Sequence, residues 1–154
     1  MMTDTVDATS LYATFWIGPH QFGLEVQSVR EILTGVVPTA VPRADGAVAG
    51  ILNLRGQIVT VVDLATRLQL EADGDADADI FLVVEGAAPV FAIRVDRVGD
   101  VVDLAATPPE TAPPTLPEAV ADAIVGVSSL PDSLLQILDP VALSPDRGGT
   151  DPDT

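Results

Sequence analysis

The sequence has no cysteine and no lysine, and it has a single histidine, His20, among its 154 residues. The absence of cysteine excludes disulfides, zinc–thiolate sites and thiol catalysis. With cysteine and lysine absent and only one histidine present, most pairings of a nucleophile with a base are also unavailable. We interpret His20, which follows Gly18-Pro19, as an exposed turn residue rather than a catalytic group.

The sequence also lacks a long hydrophobic run. No apolar stretch reaches the ~18 to 20 residues that span a bilayer, because Pro, Gly, Asp or Thr interrupts each one. The first residues, Met1 to Asp7, are acidic and include no basic segment, so we do not expect a secretory signal. Together these features predict a cytoplasmic protein.

Positive charge is scarce. The chain has 23 acidic and 7 basic residues, all of them arginine, for a net charge of −16 and a pI near 4.1. Such a surface repels nucleic acid and anionic membranes, so neither is an expected partner. We interpret the charge as adaptation to a salt-rich cytosol, because salt screens self-repulsion. The alternative is an acidic protein from an ordinary cytosol.

Two segments resemble a catalytic motif and a metal-binding motif, but each lacks residues that its motif requires. Gly126-Val127-Ser128-Ser129 lacks the second glycine of a nucleophile elbow. A calcium loop starting at Asp73 would need Gly at its sixth position and Glu at its twelfth, where the chain has Ala78 and Val84. The sequence therefore predicts no catalytic residues, no metal site, no cofactor and no small-molecule substrate. A carboxylate-based hydrolase is left as an alternative that rests only on the abundance of Asp.

The most informative segment, residues 49–64, reads as a hairpin of two strands around a polar corner at Arg55-Gly56-Gln57. Gly56 suits a turn position that requires positive φ. Strand alternation places Asn53 and Arg55 on one face. The second strand, Ile58 to Val62, is apolar throughout, and we expect it to be buried on both faces. An arginine held at the edge of such a rigid hairpin is a good binding group.

The remainder of the chain reads as many short strands, which predicts an all-β fold with small barrels. Spacing of Val26, Val29, Ile32 and Leu33 predicts a short helix or turn over Ser28–Leu33, and residues 64–70 predict one or two helical turns. Residues 71–79 are predicted to form an acidic loop. Residues 1–10 and 144–154 are predicted to be disordered, leaving one ordered domain at 11–143. The predicted strands cover 11–17, 21–26, 80–85, 90–95, 98–104, 123–127 and 134–138.

Asn53-Leu54-Arg55-Gly56, followed by an apolar strand that ends at Asp63-Leu64, resembles the signature of the CheW family of chemotaxis coupling proteins. Two departures are Thr60, where the family usually has Pro, and Ala92, where it often has Gly. The similarity extends over residues 11–143. Further segments that match the family in order and spacing are 22–26, 29–32, 48–53, 91–101, 124–127 and 134–139.

The resemblance implies two SH3-like β-barrels packed side by side, with short helical turns. It also implies a non-catalytic adaptor that links chemoreceptors to the histidine kinase CheA, whose regulatory domain is homologous to CheW. Such a protein would be cytoplasmic and associated with membrane receptor arrays. A CheW-like adaptor for a kinase pathway unrelated to motility is the alternative.

By position, the resemblance implies a receptor-binding groove lined on one side by Val29, Glu31 and Ile32 and on the other by Gly50, Asn53 and Arg55. The apolar residues would contact a receptor helix, and the two charges would fix its register. Three alternatives stay open. Val29 and Ile32 could belong to the core, Arg55 could be a structural partner of Asp63, and Gly50 and Gly56 could be required by the backbone alone.

Overall fold

The computed structural model describes residues 10–42, 46–71, 80–86, 89–131 and 133–145. These residues form ten strands and three short helices, which confirms the predicted all-β fold. Helices α1 to α3 are Leu64–Leu68, Glu118–Ala121 and Pro140–Leu143. Strands β1 to β10 are Leu11–Ile17, His20–Glu25, Val29–Thr34, Val48–Leu54, Gln57–Asp63, Ile80–Val84, Phe91–Val95, Arg97–Asp103, Ile124–Ser129 and Leu134–Leu138.

The strands form two five-stranded sheets with orders β8-β1-β2-β10-β9 and β3-β6-β7-β5-β4. We call the first the terminal unit, because its strands come from both ends of the chain, and the second the central unit. Each sheet contains one parallel pair, β2–β10 or β5–β7, flanked by antiparallel hairpins. The two units therefore have the same strand arrangement, with the central unit inserted into the terminal one.

Four of the residues from 47 to 63 recur 76 positions later in the terminal unit: Ala47 as Ala123, Gly50 as Gly126, Leu54 as Leu130 and Asp63 as Asp139. The contact between the alanine and the aspartate recurs as well. The amide of Asp63 donates to the carbonyl of Ala47 at 2.7 Å, and the amide of Asp139 donates to that of Ala123 at 2.8 Å. Each aspartate also caps the helix that follows its strand. This internal repeat is visible in the sequence only once the topology shows which segments to align.

Each sheet curls so that its two edges approach, as the predicted barrels require. In the central unit, Thr39 lies beyond edge strand β3 and exchanges two 2.8 Å backbone hydrogen bonds with Ile51 on the opposite edge strand, β4. In the terminal unit, Glu110 lies beyond β8 and bonds in the same way to Val127 on β9. Pairing between the edges leaves fewer backbone groups open to other chains.

The largest core lies between the two sheets and draws on both. Phe15, Phe22 and Leu24 of the terminal unit pack there with Phe91 and Ile93 of the central unit, and all five are fully buried. Each unit also has a smaller interior of its own. Because burial of apolar area is the main driving force for folding, the shared core joins the two units into one body.

The chain passes from β7 into β8 through Asp96, whose side chain is buried. Its Oδ2 accepts a 2.7 Å hydrogen bond from the amide of Gly18, in the turn between β1 and β2. A buried carboxylate requires such donors, because leaving it unsolvated is costly. Asp96 thus fixes the crossing between the units.

The predicted helix over Ser28–Leu33 is wrong: a 3₁₀ turn at Val26–Ser28 is followed by strand β3. A bulge at Arg30 explains the error. Val29 pairs with Val84 and Ile32 with Leu82, so two residues three positions apart share one face of a strand. A bulged strand therefore reproduces helical spacing.

Two further predictions concern the burial of Ile58 and the segments predicted to be a loop or disordered. Ile58 was predicted to be buried on a two-faced strand, but it is 59% exposed because it lies next to the hairpin tip. The predicted acidic loop lies, apart from Glu71, outside the described residues, as do residues 1–9 and 146–154 of the predicted disordered ends. Among the described residues of those ends, Ser144 is buried, and its carbonyl accepts a 3.2 Å hydrogen bond from Arg67.

Candidate protein-docking site

The turn between β4 and β5 has an unusual backbone at two successive residues. Arg55 has φ of 53° and Gly56 has φ of 87°. Two positive φ values define the type I′ turn that best matches the twist of a two-residue hairpin. The amide of Gly56 also donates to Oδ1 of Asn53 at 2.9 Å. Asn53 and Gly56 therefore shape the turn, whereas Arg55 adopts a left-handed conformation at a cost of about 1–2 kcal/mol.

The strained arginine forms an ion pair. Its Nη2 contacts Oε2 of Glu31 on β3, the edge strand opposite β4. The Arg55 side chain is 65% exposed and that of Glu31 is 25% exposed. An exposed pair of this kind contributes about 0–1 kcal/mol to folding, which is too little to offset the strain with any margin. We call the gap that this pair crosses, between β3 and the β4–β5 tip, the central mouth.

The structure separates the predicted groove residues into exposed and buried sets. Ile32 is 48% exposed, and Asn53 and Arg55 are exposed too. Val29, in contrast, is half-buried and packs against the shared core. The alternative that Val29 belongs to the core therefore describes its place in the fold, whereas Ile32 is available at the surface.

Gly50 is buried beneath the chain that closes the sheet. It has φ of 154°, and a Cβ there would lie 2.5 Å from the carbonyl oxygen of Thr39. Only glycine permits this close approach, so Gly50 acts through the backbone. Asp63, the alternative partner of Arg55, instead accepts a 3.1 Å hydrogen bond from the amide of Ala65 and caps α1.

Sequence reasoning missed Ile58 as a surface residue. It pairs with Asn53 across the hairpin, so it lies beside the residues that shape the tip. Its position could have indicated this exposure, because Ile58 follows Gln57 directly and therefore lies beside the hairpin turn. An isoleucine that is 59% exposed next to a rigid arginine adds apolar area to this surface.

Within the described ranges, no group of three or more His, Asp or Glu side chains is arranged to hold a metal ion. No helix there has both the length and the apolar character to cross a membrane. The described residues thus present a rigid charged tip, an ion pair across two sheet edges and exposed aliphatic side chains. These features define a class: small two-unit β proteins with charged and aliphatic groups exposed at the edge of one unit.

Comparison with known proteins gives the family. Residues 11–147 match the model of the CheW-like domain, and the chain belongs to that family. It is 32% identical over 87 residues to the "Probable chemotaxis protein CheW" of Rhizobium etli, a match that covers 56% of each chain. The chain thus spans just over half the length of that relative.

Two further comparisons cover more of the chain. It is 25% identical over 138 residues to the "Chemotaxis protein CheW" of Bacillus subtilis, covering 90% of this chain and 88% of that one. The crystal structure of the scaffolding protein TtCheW from Thermoanaerobacter tengcongensis superposes with a TM-score of 0.78 at 24% identity, covering 88% and 92% of the two chains. That likeness establishes the fold.

Proposed function

We propose that this chain is a non-catalytic adaptor of chemotaxis that couples chemoreceptors to the histidine kinase CheA at membrane receptor arrays. Family membership over residues 11–147 and relatives named chemotaxis protein CheW support the proposal. The observation that carries it is the ion pair between Arg55 and Glu31, which holds a charged tip against an exposed aliphatic residue.

The receptor would dock at the central mouth. Ile32 offers apolar area and Arg55 offers a charge on a backbone that loses little freedom when a partner binds. Glu31 holds the guanidinium in position and leaves part of it exposed for a second acceptor. Gly50 and Val29 support this surface from below and are positioning residues of the proposed groove.

The test is Arg55→Asp, measured as receptor-dependent activation of CheA in a reconstituted array. Because the Arg55 side chain is 65% exposed, we expect an unchanged fold and a loss of coupling of about tenfold or more. The control is Asp122→Arg, a charge reversal at an exposed residue of the terminal unit. Normal folding with unchanged activation in Arg55→Asp would refute the groove assignment.

Ile32→Asp gives an independent check. The residue is 48% exposed, so the substitution does not bury a charge and should leave the melting temperature close to that of the parent. Coupling should fall, since the apolar contact is lost. Retained coupling in this variant would restrict the groove to its charged residues.

We also infer that the acidic surface is an adaptation to a salt-rich cytosol. The net charge of −16 and the use of arginine for all seven basic residues support this inference. Guanidinium is less strongly hydrated than ammonium and pairs bidentately with carboxylates, which suits a surface dominated by Asp and Glu.

A further inference from the structure

The terminal unit has a mouth equivalent to the central one. Edge strand β8 carries a bulge like that of β3: Val98 pairs with Phe15 and Val101 with Ala13, so two valines three positions apart share a face. This register makes Asp100 the counterpart of Glu31, each just before an exposed aliphatic residue of an edge strand. We call the gap between β8 and the β9–β10 tip the terminal mouth.

The hairpin tips are equivalent as well. Leu130 and Ser133 exchange backbone hydrogen bonds of 2.8 and 3.4 Å around a two-residue connection, as Leu54 and Gln57 pair around Arg55 and Gly56. The position of Arg55, moved by 76 residues, is Pro131. Proline has no charge, and its ring fixes φ near −65°, so this tip does not supply a guanidinium.

The consequence is an acidic side chain without its cation. Among the residues that the structure describes, no hydrogen bond or ion pair engages the Asp100 carboxylate, whereas Glu31 is paired with Arg55. A cleft of about 360 Å³ opens at this place, lined in part by Trp16, Asp100, Leu130 and Pro131. That volume is at the small end of the range of about 300–1,000 Å³ for ligand pockets.

The polar groups deeper in the cleft are already satisfied by one another. The Thr14 hydroxyl donates to the carbonyl of Asp100 at 2.5 Å, and the Ser133 hydroxyl donates to Oε1 of Gln21 at 2.7 Å. Among the described residues that line the cleft, the remaining recognition elements are therefore the Asp100 carboxylate and the indole of Trp16. The guanidinium of Arg97 lies 4.9 Å from the indole centroid, so this ring already stacks with an arginine.

Charge favours a cationic occupant of the terminal mouth. Residues 26–95 hold nine acidic residues and five arginines, a net charge of −4. The remainder of the chain holds 14 acidic residues and two arginines, a net charge of −12. The terminal unit therefore attracts basic partners more strongly than the central unit does.

We propose that the terminal mouth binds an arginine side chain of a partner protein, whose guanidinium pairs with Asp100 as Arg55 pairs with Glu31. Arginine fits better than lysine because its planar guanidinium can pair bidentately with a carboxylate. The inference depends on the repeat within this chain and stands whether or not the central mouth binds receptors.

Trp16 is the only tryptophan in the chain, so its fluorescence reports on the cleft directly. The probe is N-acetyl-arginine amide, and N-acetyl-citrulline amide, which has the same shape but no charge, is its control. We expect a saturable change in emission with a Kd on the order of millimolar for the arginine probe only. An equal change with citrulline, or no saturable change with arginine, would overturn the proposal.

Two carboxylate variants locate the binding. Asp100→Asn should weaken the arginine probe by about tenfold, since it removes a charge-assisted hydrogen bond. Asp122→Asn removes the same charge from an exposed position after α2 and should change the Kd by less than about twofold. Equal weakening by both variants would mean that the probe responds only to net charge.

A second copy of this chain is the competing occupant. In that case Trp16 emission would change with protein concentration without any probe, and Arg55→Ala would abolish the change. That result would overturn the assignment to a partner protein. We expect emission to be independent of protein concentration, because two copies that each carry a net charge of −16 repel one another.

Discussion

The central and terminal units share a strand order, a parallel pair, a helix-capping aspartate and a buried glycine, yet they differ at their mouths. The central mouth is bridged by Arg55 and Glu31, whereas the terminal mouth has Pro131 and an Asp100 carboxylate with no partner among the described residues. The units also differ in net charge, −4 for residues 26–95 against −12 for the remainder. The comparison shows that one backbone plan can carry two distinct surfaces when the differences are confined to tips and edge strands.

The largest expected effect concerns the net charge of −16, most of which lies outside residues 26–95. Like charges repel over about 10 Å at 0.1 M salt and about 3 Å at 1 M, so added salt should favour the compact state. We expect the melting temperature to rise by about 10 °C or more between dilute buffer and molar KCl. Circular dichroism at a series of salt concentrations measures this.

The terminal unit allows a sharper form of the same experiment. Neutralising Asp100, Glu118 and Asp122 together should stabilise the protein in dilute buffer and reduce its response to salt. A melting temperature that stays flat from dilute buffer to molar KCl would refute the salt adaptation and leave the adaptor function untouched.

The equivalent glycines test how alike the two backbones are. A Cβ at Gly50 would lie 2.5 Å from the carbonyl oxygen of Thr39, and one at Gly126 would lie 2.8 Å from that of Glu110. Gly50 alone of the two has a left-handed φ, of 154°. We therefore expect Gly50→Ala to reduce the free energy of unfolding by about 3 kcal/mol and Gly126→Ala by about 1–2 kcal/mol. Urea denaturation measures both, and the reverse order would show that the units relax differently around the same contact.

The helix caps should show the smallest effect. Oδ1 of Asp63 accepts from the amide of Ala65 at 3.1 Å, and that of Asp139 accepts from Val141 at 3.0 Å. Replacing either aspartate with alanine should cost about 1 kcal/mol, because each change leaves a helix amide without its acceptor. Asp122→Ala, an exposed change outside these caps, serves as the control in the same denaturation series. A clear loss from only one cap would mean that the repeat is conserved in shape but not in energy.

Most strands and their hairpins could be predicted from the sequence, because alternation and turn residues are local signals. The pairing of β2 with β10 could not, since Gln21 and Gln136 are 115 positions apart and no local pattern links them. Strand β3 was mistaken for a helix because the bulge at Arg30 places Val29 and Ile32 on the same face of the strand, at the spacing of a helix.

The central mouth was predicted in part. The groove residues came from the family resemblance, and the structure brings two of them, Glu31 and Arg55, into contact. The positive φ of Arg55 was not predicted, because glycine was the only residue that turn chemistry pointed to. The terminal mouth was not predicted, because Asp100 can be recognised as the counterpart of Glu31 only when β8 is aligned with β3.

The insertion of one unit into the other also sets an order of events during synthesis. All five strands of the central unit lie within residues 29–95, so they can pair as soon as that stretch has left the ribosome. The β1–β2 hairpin must wait for β8 to β10 before its sheet is complete. A ribosome that stalls near residue 96 would therefore release a chain with its first hairpin uncovered, the kind of strand edge that recruits chaperones.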